Sequence, residues 1–131
     1  QGRRMVHAAS AVPLKHGLAA NMARLLSAVG RDDQGYRLLD ASRGGFGRVD
    51  AELAVFLRQS EAQGCPPLDP LYTAKALLAL RDQVETGYFA PGSRLILVHS
   101  GGLQGRRAMD ARLQALVGEA GFNSYVEQEQ P

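Results

Sequence analysis

Two short stretches hold the residues whose types and spacing could do chemistry. The first is Leu68-Asp69-Pro70-Leu71-Tyr72-Thr73-Ala74-Lys75, where aspartate followed by proline is a helix-start signal. A phenol (Tyr72) and a hydroxyl (Thr73) would then stand in a first helical turn, where free amide donors and the positive dipole end favour anionic groups. On spacing alone the plainer reading prevails, with Tyr72 a packed aromatic and Thr73 a first-turn hydroxyl. The second stretch is Val98-His99-Ser100-Gly101-Gly102, where an apolar run passes directly into a hydroxyl and two glycines. In open α/β sheets ligands gather beyond the carboxyl ends of strands, so Ser100 fits a ligand site and a plain turn equally well.

Other chemistries find little support. His7, His16 and His99 have neither an i,i+4 pairing nor an acidic partner at ligand spacing, so no metal site is expected. His99 is expected to be a buried histidine at a strand end. Cys65 is the single cysteine and sits in a turn-like Gly64-Cys65-Pro66-Pro67, which suits a structural thiol.

The elements that must position these residues read as alternating strands and helices. Met5 to Val12 suits a strand end stopped by Pro13, and Tyr36 to Asp40 a short strand. Leu95 to His99 is a continuous apolar run, as expected of a central strand buried on both faces. Leu18, Met22, Leu25, Leu26 and Val29 mark one face of a helix, and Gly30 its stop. After a polar turn at Arg31 to Gly35 and the second strand comes Ser42-Arg43-Gly44-Gly45-Phe46-Gly47, whose glycines permit close approach of backbone. Asp50 caps a helix with Leu53, Phe56 and Leu57 on its buried stripe, ended by Gly64. The helix opened at Asp69 shows Leu71, Ala74, Leu77, Leu78, Leu80 and Val84, and a last amphipathic helix is expected over Ala108 to Val117. That order predicts an α/β fold: an open, mostly parallel sheet flanked by helices. The expected organisation is one α/β domain over 1–122 and a polar tail over 123–131.

A length of 131 residues suits one modest core. Hydrophobic content of 45% with 21% charged residues is that of an ordinary water-soluble domain. Net charge is only +2 and the arginines are scattered, which argues against a nucleic-acid or membrane partner. No apolar run is long enough to span a bilayer and no signal peptide opens the chain, so a reducing, cytoplasmic setting is the default expectation.

Three segments together bear a family likeness. Pro67 to Ala76 resembles the DPVYTGKA segment of the pyridoxal-phosphate enzymes of the 1-aminocyclopropane-1-carboxylate deaminase/D-cysteine desulfhydrase type. Pro91 to Leu103 resembles that family's PxGSRVLFVHTGGL segment, and Gly44 to Val49 resembles the glycine-rich loop preceding both. The likeness covers residues 5 to 110 and implies the C-terminal part of a fold type II enzyme of the tryptophan-synthase-β kind. It implies Tyr72 as the substrate-facing acid/base, Ser100 as the hydroxyl near the pyridine nitrogen, and Thr73 as a cofactor-side neighbour. Threonine at 73 stands where cyclopropane-carboxylate deaminases carry glutamate, which tilts the reading toward a desulfhydrase-like activity on a small amino acid.

Departures from the family pattern shape the expectation. Phe46 stands where the family has a second active-site tyrosine, Ala74 where it has glycine, and Gln104 to Arg107 where it is more apolar. The family's cofactor-linking lysine and phosphate loop belong to a segment outside this sequence. Only Lys15 and Lys75 are present, and neither matches the linking position. Pyridoxal phosphate is therefore expected in the parent enzyme but not covalently on this chain, which should be inactive alone. The alternative is a non-catalytic folded fragment that self-associates or binds a small anion. Apolar faces left by the missing part make a homo-oligomer expected in either case.

Overall fold

A computed structural model describes residues 5–31 and 35–120. The polar tail expected from Asn123 lies outside the described residues, as does most of the turn expected over 31–35. In chain order the elements are β1 (Val6–Ser10), a 3-10 turn (Leu14–His16), α1 (Leu18–Ala28), β2 (Tyr36–Asp40), α2 (Ala51–Ala62), α3 (Thr73–Glu85) and α4 (Leu103–Glu119). β1 and β2 pair in parallel, with Val6 opposite Tyr36 and Ser10 opposite Asp40, and α1 forms the crossover between them.

The core lies among α2, α3 and α4 rather than against a broad sheet. Leu53, Ala54 and Leu57 of α2 meet Ala74 and Leu78 of α3 and Leu113 and Val117 of α4. Asp50 caps α2 as its position predicts, its carboxylate accepting from the Leu53 amide at 2.9 Å. Phe56 packs at the edge of this cluster rather than inside it.

Two expectations need correction, at Leu95 to His99 and at the start of α4. Leu95 to His99 forms no strand: it pairs with nothing among the described residues, and Ile96 and Val98 are 90% and 77% exposed. A strand exists only where its amides and carbonyls find a ladder partner. Here β1 spends one edge on β2, while its other side and this run flank a common groove without pairing. The face of α1 is amphipathic yet buries no residue, so its apolar stripe has no layer to cover it among the described residues. Finally, α4 begins at Leu103, five residues before the expected start, because Arg106 is drawn into the interior. Its guanidinium pairs with Glu61 at 2.8 Å, with Asp110 at 2.9 Å one turn on, and donates to the Leu68 carbonyl at 3.3 Å. These partners anchor the first turns of the helix despite Gly105.

Two measurements follow from this packing. Leu113→Ala should cost about 2–4 kcal/mol in chemical denaturation, because it empties a fully buried site, whereas Leu25→Ala on exposed α1 should stay within about 0.5 kcal/mol. Burial would raise the Asp50 carboxyl pKa, but the Arg43 guanidinium and the Leu53 amide overcome it and hold the group below its ordinary value. A carboxyl depressed in the fold supplies stability above its unfolded pKa and loses it as pH falls through the folded one. Asp50→Asn, which keeps a capping oxygen, should therefore flatten the acid limb of the stability profile.

Candidate functional site

The groove flanked by β1 and the run 95–100 has a volume of about 700 Å³ and mostly apolar walls. Tyr72, Thr73, Ser100 and Phe46 all line it, so the residues singled out in the sequence converge on one place. They come from three separate pieces of chain: the entry to α3, the loop before α4, and the loop after β2.

Asp69 builds the first of these. It is buried, and its carboxylate accepts from the amides of Leu71 (2.9 Å), Tyr72 (2.8 Å) and Thr73 (3.0 Å), and from the Thr73 hydroxyl (2.7 Å). Four bonds to one carboxylate hold a turn at Pro70 to Tyr72, so α3 starts at Thr73 rather than at Pro70. Tyr72 is left at the lip of the groove, 52% exposed, with its ring edge-on to Phe46 at 5.5 Å between centroids. Thr73 is buried and its hydroxyl is turned toward Asp69, which makes it a structural partner as well as part of the wall.

The second piece closes over the same carboxylate. His99 is exposed rather than buried: its Nε2 lies 3.0 Å from the Pro67 carbonyl, and its Nδ1 accepts from the Gly101 amide at 3.0 Å. That pattern places the ring proton on Nε2, and the imidazole ties the loop 99–102 to the segment before α3. Gly102 has φ of 95°, and a Cβ there would lie 2.9 Å from Cγ of Asp69. Only glycine combines that backbone with so close an approach. Ser100 is thereby carried to the groove mouth, exposed.

The third piece is the loop 42–47. Asp40 opens it by accepting from the Ser42 amide at 2.9 Å, and the hydrogen bonds from Ser42 hold the Asp40 carboxyl below its usual range. Arg43, at φ 53°, pairs with Asp50 at 2.7 Å and with Glu52. Nothing in the sequence signals that Lys75 belongs here. It is 1% exposed, and its ammonium donates to the carbonyls of Ser42 (3.0 Å), Gly45 (3.0 Å) and Phe46 (2.9 Å). Burial lowers its pKa, Arg43 lowers it further, and Asp50 and Asp69 oppose the change. Also unforeseen is His7 on β1, whose buried Nε2 has no hydrogen-bond partner among the described residues and lies beside the rings of Tyr88 and Phe89. Among the described residues no group of histidine, cysteine or acidic side chains could hold a metal ion, and no helix is long and apolar enough to cross a membrane.

Comparison with known proteins bears on this arrangement. No protein-family model matches the chain. Two archaeal proteins, from Pyrococcus horikoshii and Pyrococcus furiosus, are each 34% identical to it over 68 residues, and both are provisionally named 1-aminocyclopropane-1-carboxylate deaminase. The match covers 52% of this chain and 20% of each relative. Over those residues the chain is similar to proteins of that name. A solved structure described as the ACC deaminase homologue superposes with a TM-score of 0.71 at 23% identity, over 85% of this chain and 35% of that one. The likeness shows the α/β fold, and the sequence spans only a minor part of the relatives it matches.

The junction of α3 and the 99–102 loop can be checked by a pair of glycine variants. Gly102→Ala should destabilise the chain by at least about 1 kcal/mol, since the methyl meets Asp69 on a left-handed backbone. Gly105→Ala, in open space inside α4, should instead stabilise by about 0.5–1 kcal/mol in the same thermal melt.

Proposed function

We propose that this chain is part of a pyridoxal-phosphate-dependent deaminase of the desulfhydrase-like kind, acting on a small amino acid and inactive by itself. The observation that carries the reading is the convergence of Tyr72, Thr73 and Ser100 on one apolar groove. Its volume lies within the range of small-molecule sites. The donor set fits part of the cofactor: Ser100 offers a neutral hydroxyl suited to a pyridine nitrogen, and the apolar walls suit a flat ring. When bound, pyridoxal phosphate would supply the electron sink for α,β-elimination or deamination, with ammonia and a keto acid as products.

This chain's own residues then have distinct tasks. Tyr72, at the groove lip, takes or delivers the substrate proton; a phenol can do so when its surroundings favour the phenolate. Phe46 walls the groove without exchanging a proton. Thr73, held by Asp69, keeps the wall beside Tyr72 neutral, where a carboxylate would suit ring opening of the cyclopropane substrate. The lysine that links the cofactor is not among these residues, because Lys75 is committed to loop carbonyls and Lys15 stands exposed on the turn after β1.

A second reading has its own support. Ile96, Val98, Val6 and Val29 are exposed apolar residues, and groove walls this apolar favour self-association, with or without catalysis. A homo-oligomer is proposed under both readings and is measured by sedimentation velocity.

Adding pyridoxal phosphate to this chain should give no lysine-linked visible absorbance band and no turnover. In the longer enzyme, Tyr72→Phe should lower kcat by about 10²–10⁴ while cofactor absorbance persists. The longer enzyme should also prefer D-cysteine to 1-aminocyclopropane-1-carboxylate. Robust ring opening would remove the desulfhydrase-like assignment, and undiminished kcat in the tyrosine variant would remove the role given to Tyr72.

A further inference from the structure

Lys75 makes a set of contacts that the proposed chemistry does not use. An ammonium has three N–H donors, and all three find carbonyl oxygens of a single loop, those of Ser42, Gly45 and Phe46, at 2.9–3.0 Å. Three carbonyls converge on one point only if the loop is folded around it, and the positive φ values of Arg43 (53°) and Gly44 (85°) are part of that folding. Arg43 fixes the outer side of the loop to Asp50 and Glu52 on the α2 end. Lys75 is the largest fully buried side chain among the described residues, and it lies three residues after Tyr72 across the start of α3.

A closed circuit results. Tyr72 and Lys75 leave neighbouring backbone positions, Lys75 holds the Phe46 carbonyl, and the Phe46 ring returns to meet the Tyr72 ring at 5.5 Å. We propose that Lys75 is a positioning residue whose ammonium acts as the built-in cation of the 42–46 loop and so sets Phe46 against Tyr72 at the groove. The loop is otherwise short and glycine-rich, with turn bonds from the Gly45 amide to the Ser42 carbonyl and from the Arg48 amide to the Gly45 carbonyl, each at 3.2 Å, and Phe46 is tied inward by Lys75. Removing the cation would leave the Phe46 carbonyl without its donor and the Ser42 and Gly45 carbonyls with only the Gly45 and Arg48 amides, each at 3.2 Å, and the loop would resolve this by opening at Phe46 toward water. Phe46 would then leave the groove wall. This inference does not depend on the cofactor reading, since every contact in the circuit belongs to the chain itself.

The presence of only two lysines makes a direct test possible. In the unaltered chain, limiting acetylation followed by peptide mass analysis should modify Lys75 at least about tenfold more slowly than Lys15, because its ammonium is buried and bonded. Equal rates would overturn the proposal without any variant. Lys75→Met keeps the apolar stem and deletes the donors. It should abolish the Phe46–Tyr72 ring cross-relaxation seen by NMR and expose the amides of the loop to exchange, while amides of α2 and α4 stay protected. Persistence of the ring contact in that variant would overturn the idea. Lys75→Ala supplies the chemical check. Propylammonium, which matches the atoms removed, should restore the ring contact, and 1-propanol should not. Equal rescue by the alcohol would mean that volume, rather than charge and donors, holds the loop.

Discussion

The buried carboxylate of Asp69 is the interaction on which the site depends. A charged group taken out of water is costly unless its lone pairs are filled, and here three backbone amides and a hydroxyl fill them. Meeting that requirement forces the turn before α3, which turns Tyr72 outward and Thr73 inward. It also forces a bare backbone at Gly102, since the carboxylate occupies the space a side chain would need. The hydroxyl-bearing loop at Ser100 therefore arrives beside the tyrosine because both are fitted around the same acid.

Two further charges stabilise the pieces around it. Arg106 is drawn beneath the start of α4 by Glu61 and Asp110, which fixes the helix that follows the 99–102 loop. Lys75 gathers the carbonyls of the loop after β2. Each of these cations is nearly excluded from solvent and each has its donors matched, the condition under which buried charge organises structure instead of disrupting it. The helical core of α2, α3 and α4 supplies the rigid body on which all three anchors stand.

The groove side of the molecule has a different character. Among the described residues β1 has one edge unpaired, the run 95–98 has no ladder partner, and apolar side chains of both line the groove. A parallel strand gains stability only when flanked on its edges and covered on its faces. The matched region is only 20% of the length of each relative.

By itself the sequence determined the local elements whose causes are local. Asp50 ahead of Leu53 specified a capped helix, the spacing of Ala74 to Val84 specified α3, and the alternation of elements specified an α/β fold. Likeness in three segments singled out Tyr72, Thr73 and Ser100 together, and all three line the same groove. What only the tertiary structure decided depended on partners distant along the chain. The run Leu95 to His99 reads as a buried strand because its composition is apolar, but pairing needs a neighbour that composition cannot supply. Lys75 reads as one more polar residue on a helix, and only the folded loop thirty residues earlier turns it into a buried anchor. Arg106 likewise reads as surface charge until Glu61, on another helix, takes it inside. Short-range signals fix helices and caps because their hydrogen bonds close within a turn, whereas burial of a charge is settled only where two remote segments meet.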